Sequence, residues 1–229
     1  MSEFFNLAMN YWSTINTYIP GFLKASLIVL ELTVGTVLLS WVCGMIAALC
    51  KSSRFKILQY PSRFYIWFIR GTPTLIQIFI VYFGFPQLGL KFSPFVAGVL
   101  ALGVNSGAYV AEITRAGLSA IHFGQMESAR ALGMSYFLAM RRIILPQVVR
   151  IIIPPITNEA ITMLKNTSLL STITVYELTL YAQVLIARTF RPFDFYIIAA
   201  ILYLTMVSIL TTLSNKMEKR FGLAYEQES

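Results

Sequence analysis

ESARALGMSYFLAMRRIILP, residues Glu127 to Pro146, is an amphipathic island in an otherwise oily chain. Ala129, Leu132, Tyr136 and Met140 recur at three- and four-residue steps, which predicts one apolar helical face. Arg130, Arg141 and Arg142 surround it with cationic charge, and Pro146 ends the pattern before another apolar run. A short basic amphipathic helix between two apolar spans cannot cross a bilayer. It lies at the cytoplasmic surface or docks on a partner. Gly133 sits inside it, where glycine costs about 1 kcal/mol relative to alanine. That cost predicts a turn between two short helices or a close approach by another backbone.

Composition sets the compartment. The chain of 229 residues is 57% hydrophobic and 12% charged, with a mean hydropathy of +0.69. Soluble domains carry about 25% charged residues, so this is an all-α membrane protein forming one polytopic domain, residues 22–215. The net charge of +8 does not point to nucleic acid. Its lysines and arginines cluster in short loops between spans, as the positive-inside rule asks. Cys43 and Cys50 share one apolar segment and imply neither disulfide framework nor metal site. His122 is the only histidine and reads as a loop residue. No Walker motif, Gly-x-Ser-x-Gly or His-Glu-x-x-His occurs. The chain is therefore expected to bind no cofactor, metal or ATP of its own and to lack a catalytic centre. The N-terminus carries no basic n-region or cleavage site.

About five transmembrane helices are expected. Residues 1–21 are aromatic and closed by Pro20 and Gly21, which suits a helix in the membrane interface. Phe22 to Leu49 is the first span, interrupted by Glu31. Lys51 to Arg63 is basic and reads as a cytoplasmic loop, which puts the N-terminus outside. Phe64 to Phe85 is the second span, broken by Arg70-Gly71-Thr72-Pro73. Phe95 to Gly117 is the third, with Asn105, Ser106, Tyr109 and Glu112 inside it. The amphipathic loop, residues 121–146, follows on the cytoplasmic side. Gln147 to about Leu170 is the fourth span, kinked by Pro154-Pro155. Val175 to Phe195 is too polar to span and is placed outside. Tyr196 to Leu213 is the fifth, and residues 216–229 form a cytoplasmic tail with Lys216, Lys219 and Arg220, so the C-terminus is inside.

Charges within a bilayer mark a function or a pair. Arg70 and Glu112 come out at similar depth and are expected to neutralise each other, with substrate contact as the alternative for either. Lys165, near the outer end of the fourth span, can snorkel. Glu159 falls near the midplane, roughly 20 Å up its helix from Pro146, and Asn105 lies at similar depth. Transporter sites are expected there. Asn158, Thr162 and Tyr109 complete the candidate substrate set. The alternative is that Glu159 pairs with Lys165 or Arg70 and only fixes packing.

Glu127, Ala129, Gly133, Ile143, Leu145 and Pro146 fall in register with the EAA loop, E-A-A, three residues, G, nine residues, I-x-L-P. The chain thus resembles the membrane-spanning subunits of binding-protein-dependent ABC importers. It departs only at Ser128, a small residue where the family usually has alanine. Arg70-Gly71-Thr72-Pro73, Ala108-Tyr109-Val110-Ala111-Glu112 with Arg115-Ala116-Gly117, and Lys165-Asn166-Thr167-Ser168-Leu169 are similar to further stretches of the polar amino acid branch, the histidine and glutamine type.

The resemblance implies that Glu127, Ser128, Ala129, Leu132, Gly133 and Tyr136 belong to a coupling helix docked on a cytoplasmic ATPase. It implies a second permease subunit, identical or related, two ATPase subunits carrying ATP and magnesium, and an amino-acid-binding protein outside the bacterial inner membrane. ATP-driven closure of the ATPase pair would turn the cavity outward. The Asn158-Glu159 pair resembles the histidine, lysine and arginine permeases more than the glutamine permeases, so a basic cargo is expected, with polar neutral amino acids as the alternative. A membrane enzyme would need a catalytic cluster. A solitary carrier or channel would need no ATPase-docking helix.

Overall fold

The computed structural model describes residues 16–220. All the regular elements among them are helical. Most of the expected interfacial helix over residues 1–21, and the tail beyond residue 220, lie outside the described residues. Pro20 does not close a helix. It sits in the first turn of α1, Ile19–Lys51, where a missing N–H leaves no bond unmade.

The bundle is built on α1 and α4, Pro94–Ser119, which meet along a glycine seam. A Cβ on Gly103 would stand 2.7 Å from Leu39 Cδ2, and one on Gly107 would stand 2.7 Å from Cys43 Cβ. The paired numbers advance together, so the two helices run parallel. The fourth-span helix, α7 (Leu145–Asn166), runs the other way. Gly117 meets Val148 and Ile152 at one end, while Gly98 meets Leu170 at the other. Small residues at these contacts let backbones approach closely, as in membrane bundles generally. α7 stays helical through Pro154 and Pro155.

The second span is a bent pair. α2, Lys56–Gly71, and α3, Thr74–Phe79, meet at 112°. α3 continues through a π turn, Ile80–Gly84, and a 3-10 turn, Phe85–Leu88. Thr72 is extended at φ −121°, ψ 147°, because a residue before proline is pushed out of the helical region. The expected loop Lys51 to Arg63 is mostly helical. Only residues 52–55 connect α1 to α2, because α2 is amphipathic and buries Ser62, Ile66 and Ile69 on one face.

The loop after α4 folds as two short helices, α5 (Gly124–Ala131) and α6 (Tyr136–Ala139), the second passing into a π turn, Met140–Ile144. Beyond α7 a 3-10 segment, Thr167–Ile173, leads by a 47° bend to α8, Leu178–Thr189. Residues 175–195, expected to form a polar outer segment, are therefore largely a packed helix. Leu178, Ala182 and Leu185 of α8 join Phe22, Leu164 and Phe195 in one core. α9, Pro192–Arg220, closes the fold and extends past the expected end of the fifth span. Among the described residues three helices are long and apolar enough to cross a membrane, or up to five spans if each bent pair counts as one.

Candidate functional site

The amphipathic loop presents its apolar residues differently from the single face its spacing predicts. Ala129 is 1% exposed while Leu132 is 83% exposed, because the helix ends between them and Tyr136. Gly133 has φ +81°. Its N–H bonds Arg130 O at 2.9 Å, and Met134 N–H bonds Ala129 O at 3.1 Å. This is a Schellman stop. Nothing lies within 4 Å of a Cβ built on Gly133, so backbone conformation requires the glycine, not a close neighbour. Ser135 then caps α6 by accepting Leu138 N–H at 3.3 Å.

Leu132, Tyr136 and Phe137 stand exposed around this corner, with Glu127 and Ser128 exposed on the preceding turn. Glu127 lies within the first turn of α5 and does not cap it. His122 Nδ1 instead accepts Gly124 N–H at the helix start, at 3.2 Å.

Glu112 on α4 is the anion of a charge cluster. Lys51 Nζ lies 2.5 Å from Oε1, Arg115 3.2 Å from Oε2, and Arg70 3.7 Å from Oε2. Arg70 and Glu112 are brought together, but Lys51 is the closer partner. α1 remains helical through Lys51 and delivers its ammonium there. The Arg70 guanidinium also lies over the Tyr109 ring, 5.4 Å from its centroid.

The candidate substrate residues separate into two groups. Asn105 is 2% exposed and donates to Gln77 Oε1 at 3.0 Å. Gln77 Nε2 in turn reaches Ile69 O at 2.8 Å and Thr72 Oγ1 at 2.8 Å. Asn105 thus ties down the break in the second span. It does not join Glu159.

On α7, Asn158, Thr162 and Lys165 are exposed along one stripe. Glu159 lies opposite Ser106 of α4 in the antiparallel α4–α7 register. Glu159 Oε1 and Ser106 Oγ are buried, and among the described residues neither has a hydrogen-bond partner. Glu159 forms no ion pair with Lys165 or Arg70 among the described residues; those recorded there involve Glu112 and Asp194.

Gln77 is absent from the residues the sequence points to, and Ser106 enters there only as a polar residue inside the third span. A glutamine four residues after Pro73 in an apolar run was the available signal for the first. Ser106 carried none beyond being polar in a span.

The family described as "Binding-protein-dependent transport system inner membrane component" matches residues 40–222. This chain belongs to that family. The family assignment and the long apolar helices make it a multi-pass protein of the bacterial inner membrane. "Octopine transport system permease protein OccM" of Rhizobium meliloti is 43% identical over 217 residues, covering 90% of this chain and 86% of the relative. "Putative glutamine transport system permease protein GlnP" of Rickettsia bellii is 39% identical over 198 residues, 86% of this chain and 91% of the relative. A solved structure described as "Crystal structure of an amino acid ABC transporter with histidines" superposes with a TM-score of 0.86 at 40% identity, covering 90% of this chain and 97% of that one. Members of the family are transport components, and a binding-protein-dependent system implies an ATPase and a binding protein as partners.

Proposed function

We propose that this chain is the permease subunit of an ATP-driven amino acid importer, with basic amino acids (arginine, lysine, histidine) as its cargo. The observation that carries the cargo class is Glu159, a carboxylate in a span whose Oε1 has no partner among the described residues. A charge within a bilayer is costly unless matched, and a cationic cargo matches it. Asn158 and Thr162 lie on the adjacent exposed stripe and offer polar contacts. The relative of known structure described as being with histidines supports the same reading. The glutamine-named relatives favour a neutral cargo as the second reading.

In this reading α5 and α6 are the coupling element. Leu132, Tyr136 and Phe137 enter a groove of the cytoplasmic ATPase, and Glu127 and Ser128 line its edge. The N-terminus is outside and the C-terminus inside. ATP and magnesium are held by the ATPase pair, and this chain binds no cofactor. A second permease copy, identical or related, and an external binding protein complete the assembly.

The test is Glu159→Gln, which keeps shape and removes charge. Charge-assisted hydrogen bonds are roughly twice as strong as neutral ones, so uptake of arginine, lysine and histidine by the reconstituted complex should fall more than that of glutamine. Equal loss for all four would assign Glu159 to the α-ammonium or to packing. Unchanged uptake would remove it from the site.

A further inference from the structure

Two opposite charges, Arg70 of α2 and Glu159 of α7, come against neighbouring turns of α4. Glu112 carries one negative charge and is met by Lys51 at 2.5 Å and Arg115 at 3.2 Å. Arg70 stands beyond them at 3.7 Å, with its side chain 45% exposed. Three cations share one carboxylate, and Arg70 is the most loosely held of them. Its guanidinium rests on the ring of Tyr109, three residues along α4 from Ser106. Ser106 lies opposite Glu159 in the antiparallel α4–α7 register set by the Gly98–Leu170 and Gly117–Val148 contacts, and Ser106 Oγ and Glu159 Oε1 are both buried without a partner among the described residues. Three residues of helix rise about 4.5 Å. A loosely paired guanidinium from α2 and an unpartnered carboxylate from α7 thus meet α4 about one turn apart, beside the break in the second span.

We propose that Arg70 receives the α-carboxylate of the cargo while Glu159 receives its cationic group. A guanidinium presents its donors in a planar fork that matches a carboxylate. A zwitterion bridging the two satisfies both charges at once, and neither a simple amine nor a simple anion does. The break at Arg70–Pro73 turns the end of α2 toward α4, and the Gln77–Asn105 bond fixes that turn. Those bonds do not involve the Arg70 guanidinium, whose partners are the distant Glu112 oxygen and the Tyr109 ring. Arg70 sets the requirement for a carboxylate, and Glu159 sets the preference for charge at the other end. The assignment rests on the amino acid cargo proposed above but not on the cargo being basic.

The experiment measures equilibrium binding to the purified permease–ATPase complex in nanodiscs, without binding protein. The probes are labelled arginine and agmatine, which is arginine lacking its carboxylate. The wild-type complex should prefer arginine by about tenfold or more, the scale of a hydrogen bond to a charged group. Equal binding of the two overturns the proposal. Arg70→Gln should erase the preference by weakening arginine while leaving agmatine within about twofold. A matched loss of both probes, or a retained preference, overturns it. Where Arg70→Gln does not assemble, Arg70→Lys serves: it keeps the charge but loses the fork, so arginine should weaken severalfold and agmatine should not. Equal changes again count against Arg70.

If wild-type complex binds glutamine and not arginine, the basic cargo fails on its own. The same comparison then runs with glutamine and 4-aminobutanamide, its decarboxylated form, and the same outcomes decide the role of Arg70.

Discussion

Glu177 is fully buried and accepts the hydroxyl of Tyr203 at 2.7 Å. The same carboxylate accepts Thr179 N–H at 2.8 Å and Leu180 N–H at 2.9 Å. It therefore caps α8 and ties that helix to α9, at the 47° bend where the chain leaves the fourth span. Removing either side chain should loosen the same joint. Tyr203→Phe is expected to cost about 2 kcal/mol, the scale of a hydrogen bond to a charged acceptor. Glu177→Gln should cost a similar amount, and the double variant clearly less than the sum. Unfolding of the purified complex in mixed micelles measures all three, and strictly additive losses would show that the two groups do not act together.

Gly133 predicts an order of tolerance that separates backbone from space. An L-residue in the left-handed region costs roughly 1–2 kcal/mol, and asparagine less than most. Since a Cβ there meets nothing within 4 Å, loss of ATPase co-purification should follow Asn, then Ala, then Val. Loss that tracks side-chain volume, with Asn worse than Ala, would point to packing against the ATPase instead.

The exposed corner itself is tested at Leu132, 83% exposed within this chain. Leu132→Asp should leave expression and permease stability unchanged, since surface substitutions usually fall within about 0.5 kcal/mol. It should nevertheless abolish binding-protein-stimulated ATP hydrolysis. A variant that hydrolyses ATP normally while remaining assembled would move the docking surface elsewhere.

Orientation is accessible by cysteine labelling in a background lacking Cys43 and Cys50. Ser214, at the expected end of the fifth span, is a poor reporter. It is 7% exposed and bonds Thr157 and Glu218. Arg54, Lys91 and Lys219 are exposed and serve better. Cysteines at 54 and 219 should react with an impermeant reagent only from the cytoplasm, and one at 91 only from outside. The reverse pattern would invert the bundle.

Local chemistry made the framework legible. Apolar runs long enough to span, the Thr72-Pro73 break and the Gly133 turn are each set by a few neighbouring residues. What escaped depends on contacts between distant segments. Glu177 reads as a surface acid until Tyr203, 26 residues later, covers it. Within residues 175–195 Glu177 is buried against Tyr203, while Gln183 and Arg188 stay exposed. Asn105 looked like a site residue because of its depth, but depth does not say which way a side chain turns, and Gln77 claims it. The positive-inside rule puts Lys51 in a loop because it registers charge and not where a helix ends, and α1 in fact runs through Lys51. The single amphipathic face over Ala129 to Met140 failed because periodicity counts through a glycine that the backbone does not.

The Glu112 cluster gives the last prediction, because its distances rank its partners. Lys51 at 2.5 Å and Arg115 at 3.2 Å hold the two carboxylate oxygens, and Arg70 at 3.7 Å adds little. Lys51→Met removes the closest bond from a carboxylate whose side chain is 18% exposed. The expected loss is about 2 kcal/mol, the value for a hydrogen bond to a charged group. Arg70→Met removes a half-exposed, loosely placed partner and should cost less than about 1 kcal/mol. Charge compensation then separates the pairs. Lys51→Met with Glu112→Met removes a carboxylate and its main counter-ion together, so it should be less damaging than the two single effects added. Arg70→Met with Glu112→Met still leaves Lys51 and Arg115 facing each other without an anion, and should recover less than the Lys51 double variant does. Expression level and unfolding of the purified complex read both cycles. Recovery in the Arg70 cycle but not in the Lys51 cycle would make Arg70 the true counter-ion of Glu112, and would commit it there rather than to a cargo carboxylate.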